Sequence, residues 1–352
     1  MVKEGFTMGD IGFSRAELIK NLSGKNIFVT GGTGSFGKTF VRLCLSNKDI
    51  ASVTVFSRDE QKHVSLRRDI ADPRLRTVIG DVRDIERLRY AMRGADMVFN
   101  AAAIKHVHLA EEHPMEAVKT NVLGAYNVCH VAVELGVEAV VTLSTDKAVE
   151  PVNVMGMSKA LQERITSSFC GGKTRFGVVR YGNVLASNGS VIPYFKKLIE
   201  GGEPILPVTD KRMTRFVLTL EDSVDLVLFA MRECKNGEIY VLDMPAFHIS
   251  DVADVMATQA GNLGWKVSVS EVGIRPGEKL HETLISSEEM RHAKKFGGMW
   301  RIEPCLSSET IYAAGTEETA FSSDVAVRLT KQQIAALLAR ESCFPTLRGK
   351  GF

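Results

Sequence analysis

Short, almost wholly apolar runs alternate along the first half of the chain with longer segments whose apolar residues recur at helical spacing. Asn26–Thr30 predicts a buried strand, followed by a glycine-rich turn and a helix over Ser35–Ser46. Further strands are predicted at Ser52–Phe56, Thr77–Ile79, Met97–Asn100, Ala139–Leu143 and Phe176–Arg180, and a long amphipathic segment, Met115–Leu135, precedes the fifth. Strands that are apolar on both faces and alternate with helices imply a parallel sheet covered on both sides. Right-handed crossovers then make it a doubly wound α/β sheet.

The rhythm changes after Tyr181, where Pro193, Gly201, Gly202, Pro204 and Pro207 break the chain into short pieces. A smaller, partly discontinuous α/β region is expected there. Beyond it, residues 304–325 read as an extended arm and Lys331–Arg340 as a helix.

Of 352 residues, 45% are hydrophobic and 24% charged, and the formal net charge is +2, an ordinary globular balance. No basic or acidic block stands out, which argues against nucleic acid or a membrane surface as partner. The six cysteines are scattered without a C-x-x-C, so neither a disulfide framework nor a zinc site is expected. Met1–Leu22 lacks the apolar core of a signal peptide, and no run approaches the roughly 18 apolar residues of a membrane span. A cytoplasmic protein is expected.

Thr30-Gly31-Gly32-Thr33-Gly34-Ser35-Phe36-Gly37 leaves the first strand and opens the helix. Gly32, Gly34 and Gly37 satisfy G-x-G-x-x-G in the strand–turn–helix context that gives the pattern meaning, a Rossmann dinucleotide site. Glycines let backbone N–H groups reach a pyrophosphate, and the helix N-terminus favours its charge. Gly31, Thr33, Gly34, Ser35, Phe36 and Gly37 are therefore expected at the cofactor. The second strand ends Val55-Phe56-Ser57-Arg58-Asp59. An NAD site usually has an acidic residue there for the ribose 2′-OH, whereas Ser57 and Arg58 suit a 2′-phosphate, so NADP is expected over NAD. The alternative has Arg58 solvated and Asp59 on the ribose. Asp81 and Val82 follow the third strand, towards the adenine. Ala101, Ala102 and Ala103 follow the fourth, small where backbone passes close to a cofactor. The expected organisation is an N-terminal extension (1–22), a Rossmann domain (23–182) to which later segments return, a mainly substrate-binding region (183–300), and an arm with a helix (301–352).

Strand five runs into Ser144-Thr145-Asp146-Lys147, and Met155-Gly156-Met157-Ser158-Lys159 follows. The latter resembles the Y-x-x-x-K site of short-chain dehydrogenases, whose tyrosine and lysine share a helix face. Here Met155 replaces the tyrosine, and a thioether cannot act as a base. Asp146 beside Lys147 is what elimination of water needs, an acid for the leaving hydroxyl and a base for the C–H proton. The alternative is a surface ion pair.

The chain resembles the inverting UDP-N-acetylglucosamine 4,6-dehydratases. The likeness spans roughly residues 20 to 300. Beyond the motifs already quoted, it rests on Ala101–Val107, Lys119-Thr120-Asn121, Arg180-Tyr181-Gly182-Asn183-Val184, Gly189–Pro193, Met213-Thr214-Arg215-Phe216 and Arg275-Pro276-Gly277-Glu278-Lys279. Met155 is similar to the capsule-pathway branch. The resemblance implies a cycle: hydride leaves C4 of the hexose for NADP, Lys147 removes the C5 proton while Asp146 protonates the departing C6 hydroxyl, hydride returns to C6, and C5 is reprotonated from the opposite face. Thr145 and Met155 belong to this catalytic group, and Lys159 positions the nicotinamide ribose. The C4 hydroxyl proton passes to water or a lysine. Lys105, Asn183, Val191, Arg215, Arg275 and Glu278 are implied at the UDP-sugar, Arg275 on its diphosphate. One departure is Ser187-Asn188-Gly189-Ser190, where relatives commonly carry arginine for Asn188.

His106, His108 and His113 with Glu111 and Glu112 are not expected to bind metal. Arg83, Arg87, Arg89 and Arg93 read as a solvated helix face. The Met115–Leu135 segment could pack on the sheet, join an intersubunit bundle, or both, so a homo-oligomer, dimer or hexamer, is expected. Two other functions stay in view: a UDP-sugar 5,6-dehydratase or epimerase, and a non-catalytic NADP-binding sensor.

Overall fold

The structure, a computed structural model, describes residues 13–187, 189–304 and 318–346. The described residues form two compact units, one of 13–181, 221–243, 284–304 and 318–320, the other of 182–187, 189–220, 244–283 and 321–346.

The first unit is an α/β sheet of nine strands. Six are β1 (Asn26–Thr30), β2 (Ser52–Ser57), β3 (Leu75–Ile79), β4 (Met97–Asn100), β5 (Ala139–Leu143) and β6 (Arg175–Arg180). Their order across the sheet is β3-β2-β1-β4-β5-β6, all parallel. The chain leaves β1 towards β2 and β3, then returns to the other side of β1 with β4. That reversal at the carboxyl ends of β1 and β4 is where open α/β sheets bind ligands. Three more strands extend the far edge: Asn236–Leu242 lies parallel to β6, and the antiparallel hairpin Ala293–Phe296/Met299–Ile302 follows. One face is packed by Phe28, Phe56, Val82, Val98, Val128 and Val140.

The expected bounds of β1, β4, β5 and the helices Ser35–Ser46 and Lys331–Arg340 are those observed, and β3 begins two residues earlier. Met115–Leu135 is helical but not uniformly so: Pro114–Ala117 and Gly124–Glu134 are α-helical, and Val118–Leu123 between them is a π-helical turn. The strands at 236–242, 293–296 and 299–302 fall within or just beyond the region assigned from sequence mainly to substrate, yet they belong to the large sheet. The described part of the N-terminal extension is likewise built into this unit. Arg15 binds Asp225 at 2.7 Å and Glu221 at 2.8 Å, and Phe13 lies 6.0 Å from Phe229.

The second unit has the strand Thr214–Leu218 between Ala246–His248 and Asn183–Val184, and a parallel pair, Ile205–Val208 with Ser268–Glu271. Its helices Val191–Glu200, Ile249–Asn262 and Lys331–Arg340 close a separate core around Phe195, Leu206, Val252, Met256, Ile334 and Leu338.

Candidate active site

The glycine loop is shaped by contacts that leave no room for side chains. At Gly31 (φ +68°) a Cβ would stand 2.9 Å from the carbonyl oxygen of Ala101 and the backbone of Ala102. At Gly37 it would stand 2.4 Å from Gly32, so the helix could not start so close to the turn. Gly34 differs, because a Cβ there would meet nothing nearer than the Gly31 carbonyl at 3.7 Å. Gly34 caps the helix Ser35–Ser46 without a side-chain hydrogen bond, so the first N–H groups stay available. Thr30 ties the loop to β4: its hydroxyl donates to Asn100 Oδ1 (2.7 Å) and accepts from the Ala101 and Ala102 amides (both 3.1 Å). The Phe36 ring turns inwards against Phe99. This cradle, backbone-lined at a helix N-terminus, fits a dinucleotide phosphate.

At the end of β2, Ser57 Oγ lies 3.2 Å from Thr33 Oγ1 and 3.0 Å from His63 Nε2. Asp59 is the N-cap of the helix Glu60–Asp69, accepting from the Lys62 amide at 3.0 Å, and its other oxygen pairs with the Lys62 ammonium. Arg58 is exposed, 3.7 Å from Asp81. The Asp81 carboxylate is gripped by Arg83 at 2.6 and 2.9 Å, which outweighs burial and lowers its pKa. Any adenine contact at this position therefore falls to what Arg83 leaves free. Val82 is buried under the helix 124–134, where a Cβ on Gly124 would stand 2.6 Å from it.

Beyond β5 the chain makes a single 3₁₀ turn, Asp146–Ala148, capped by Thr145. The turn is fastened to the sheet by the Asp146 amide, which donates to the Tyr181 carbonyl at 3.1 Å. Asp146 is fully buried, so it is not half of a solvated surface pair. Its Oδ1 accepts from Thr145 Oγ1 at 2.8 Å and from Lys147 Nζ at 3.0 Å. Its Oδ2 is enclosed with no protein partner, and the Lys147 side chain remains partly exposed.

The helix Val154–Ser168 brings the second element of the site. A Cβ on Gly156 would stand 2.2 Å from the Lys147 carbonyl oxygen, so helix and turn touch backbone to backbone. Met155 is buried, packed with Ala110 and Ala117. Lys159 is buried, its Nζ donating to the Leu143 carbonyl at 2.8 Å, and burial pulls its pKa down to about 8 against the opposing charge of Glu163. Asn121, inside the π-helical turn, locks three segments together. Its Oδ1 accepts from the Ile104 amide (2.8 Å), and its Nδ2 donates to the Ile104 carbonyl (3.0 Å) and to Ser158 Oγ (2.9 Å). π-Turns recur at functional sites. The Lys119-Thr120-Asn121 motif carries Asn121 without indicating these partners, which lie 17 and 37 residues away. Lys105, one residue beyond Ile104, is exposed, yet its surroundings lower its pKa by desolvation.

In the second unit, Arg215 is not turned outwards. Its guanidinium donates to the carbonyls of Thr214 (2.7 Å), Lys279 (3.0 Å) and Leu280 (3.2 Å), with Glu282 at 3.7 Å. These bonds tie Arg215 to residues 279–282. Arg275 is exposed, and its carbonyl accepts from the Glu278 amide at 3.2 Å. Glu278 Oε2 is enclosed without a partner. Asn183 pairs with Val217, and Val191 opens the helix 191–200. Asn188, and residues 305–317 of the expected arm, lie outside the described residues.

Residues 27–304 match the polysaccharide biosynthesis protein family. The chain belongs to that family. Within it, the expected likeness is met by a UDP-N-acetylglucosamine 4,6-dehydratase (inverting) from Campylobacter jejuni subsp. jejuni serotype O:2, 46% identical over 286 residues, 80% of this chain and 84% of that protein. A UDP-glucose 4-epimerase from Rickettsia akari is 43% identical over 319 residues, 88% of this chain and 92% of that protein. Pen from Bacillus thuringiensis superposes with a TM-score of 0.84 at 33% identity, covering 92% of this chain and 99% of that one. DesIV, a dTDP-glucose 4,6-dehydratase from Streptomyces venezuelae solved with NAD, shares the fold at a TM-score of 0.68 and 24% identity, covering 80% of this chain and 93% of that one. The glycine loop between β1 and the helix Ser35–Ser46 has the build of a dinucleotide-binding turn.

Proposed function

We propose that the chain is an NADP-dependent UDP-N-acetylglucosamine 4,6-dehydratase that inverts C5. The observation that carries this reading is the buried Asp146 with Lys147 Nζ 3.0 Å from it. An ion pair at rest becomes an acid and a base when one proton moves along that hydrogen bond, from Nζ to Oδ1. Lys147 is then a neutral amine that takes the C5 proton, and Asp146 a carboxylic acid that protonates the C6 hydroxyl as water leaves. Each group ends where it began, Lys147 as ammonium and Asp146 as carboxylate. When bound, NADP supplies the hydride acceptor for C4 and the donor for C6. Met155 Sδ takes no part in proton transfer, and Lys159 holds the nicotinamide ribose.

NADP is preferred over NAD because Asp59 is spent as a helix cap and as the partner of Lys62, which leaves Ser57 and Arg58 at the strand end. We assign Lys105, Asn183, Val191, Arg215, Arg275 and Glu278 to the UDP-sugar, with Arg275 on its diphosphate. A homo-oligomer belongs to the same reading, since Met115, Leu123, Tyr126 and Val133 leave an exposed apolar line on the helix 114–134. No helix of the described residues is long and apolar enough to cross a membrane, and their five cysteines are free thiols, which suits the reducing cytoplasm.

The Rickettsia relatives favour a second reading, C4 epimerisation, which needs hydride exchange at C4 but no acid for a C6 hydroxyl. Incubation with UDP-N-acetylglucosamine in D2O separates the two. A product lighter by one water, with deuterium at an inverted C5, is expected. An isomer of unchanged mass and inverted C4 would establish the epimerase instead. A product retaining an exocyclic double bond would mark a 5,6-dehydratase. No turnover of any UDP-sugar, with NADP(H) still bound, would mark a sensor.

A further inference from the structure

Arg180 ends β6 almost fully buried, and all five of its N–H donors are used. Nε and Nη2 donate to the two oxygens of Glu163 at 3.0 and 2.6 Å. Nη2 and Nη1 donate to the two oxygens of Glu289, both at 2.9 Å, and Nη1 also donates to the Leu284 carbonyl at 2.7 Å. One guanidinium thus holds two carboxylates, and the buried cluster carries one excess negative charge. Such a charge is costly unless a cation answers it. Arg164 acts on Glu289 at one end of the cluster. At the other end, Glu163 lies four residues beyond Lys159, on the same helix face. Lys159 is buried too, and its visible partner is a neutral carbonyl.

We propose that Glu163, fixed by Arg180, is a positioning residue that keeps Lys159 an ammonium in its buried site. The proposal rests on Lys159 serving the cofactor, as above. The elements packed against this helix carry other charges: Asp146 and Lys147 on the 3₁₀ turn, Arg175 and Arg180 on β6, Glu238 on the strand 236–242, and the surface charges of the helices 107–112 and 114–134 from His108 to Glu134. Glu163 differs from them in standing one turn from Lys159 on the same helix face, where its charge opposes the effect of burial. Arg180 sets where that charge stands, because both Glu163 oxygens are committed to it and the lysine feels the carboxylate without bonding it.

The test is a titration of the Lys159 side-chain nitrogen by NMR in the cofactor-free protein, assigned by its loss in Lys159→Met. Wild type is expected to titrate near pH 8. Glu163→Gln is expected to lower the midpoint by about one pH unit or more, the usual effect of removing a nearby opposite charge. Glu289→Gln, which removes an equal charge from beyond Arg180, is expected to move it much less. A purely structural role predicts lower Tm in both variants with unmoved midpoints, and an unmoved midpoint in Glu163→Gln overturns the proposal. Should that variant not fold, the triple replacement of Glu163, Arg180 and Glu289 by Met exchanges the whole cluster for apolar bulk, a change often tolerated, and must show the same lowered midpoint. NADP affinity measured from pH 7 to 10 supplies the second readout. A midpoint that moves without any change in NADP affinity leaves the link between Glu163 and Lys159 standing and refutes the role given to Lys159.

Discussion

A Cβ on residue 156 would stand 2.2 Å from the carbonyl oxygen of Lys147, so the helix that carries Lys159 leans directly on the turn that carries Asp146 and Lys147. Gly156→Ala must push the two apart. Overpacking of this kind costs about 1–3 kcal/mol of stability. A shift of about 1 Å in a catalytic pair costs on the order of 100-fold in rate. Denaturant unfolding and dehydration assays should show both losses, and an alanine variant of wild-type rate would mean that the contact does not govern the pair.

Asp146→Asn keeps an acceptor for Lys147 and Thr145 but holds no proton for the C6 hydroxyl. Water loss should fall by about 10²–10⁴. Hydride abstraction from C4 should persist, read as accumulation of reduced cofactor on the enzyme. Loss of that absorbance together with turnover would place Asp146 before elimination.

Gly31 and Gly34 should respond differently to alanine. Gly31→Ala meets backbone at 2.9 Å with φ +68° and should unfold at a lower temperature. Gly34→Ala meets only an ordinary contact at 3.7 Å, so its Tm should hold while NADP affinity collapses. Tight NADP binding by Gly34→Ala would remove the pyrophosphate from this turn.

Arg58→Ala should weaken NADP far more than NAD. A charge-assisted hydrogen bond to the 2′-phosphate is worth about 1.5–3 kcal/mol, roughly 10- to 100-fold in dissociation constant. Equal loss for both dinucleotides, measured by fluorescence titration, would return Arg58 to the solvated surface.

Lys159 has a stability signature of its own. Its pKa is about 8 in the fold and 10.5 in an unfolded chain, so below pH 8 the fold bears the full cost of a buried cation. Between those values the unfolded state holds the proton and the folded state does not, so stability rises with pH. Lys159→Met should therefore be more stable than wild type near pH 7, by about 3 kcal/mol, while losing activity. The advantage should shrink towards pH 10.5. The same advantage at pH 7 and pH 10 in urea unfolding would contradict it.

What could be read from the sequence follows the range of the interaction behind it. β1, the glycine loop and the helix at Ser35 were legible because their grammar is local. The helix 114–134 was legible, its π-turn was not, because Asn121 is held by Ile104 and Ser158 from other segments. Asp146 and Lys147 could be seen as neighbours, whereas the burial of Asp146 depends on strand β6 and the helix 154–168. Arg180 stood in a quoted motif with no partner in view, since Glu289 is 109 residues away. The strand Asn236–Leu242 is not among the predicted strands, because it lies beyond the change of rhythm at Tyr181 and nothing local ties it to β6.

That strand has a bearing on how the protein is made. When β6 leaves the ribosome, its outer edge is an unpaired row of backbone donors and acceptors, a template for any passing strand. Its proper neighbour, Asn236–Leu242, is synthesised only after the second unit has begun. At about 5–20 residues per second the edge stays open for several seconds. Chaperone demand and aggregation should therefore concentrate in that interval of translation, when the central sheet has a partner still to be written.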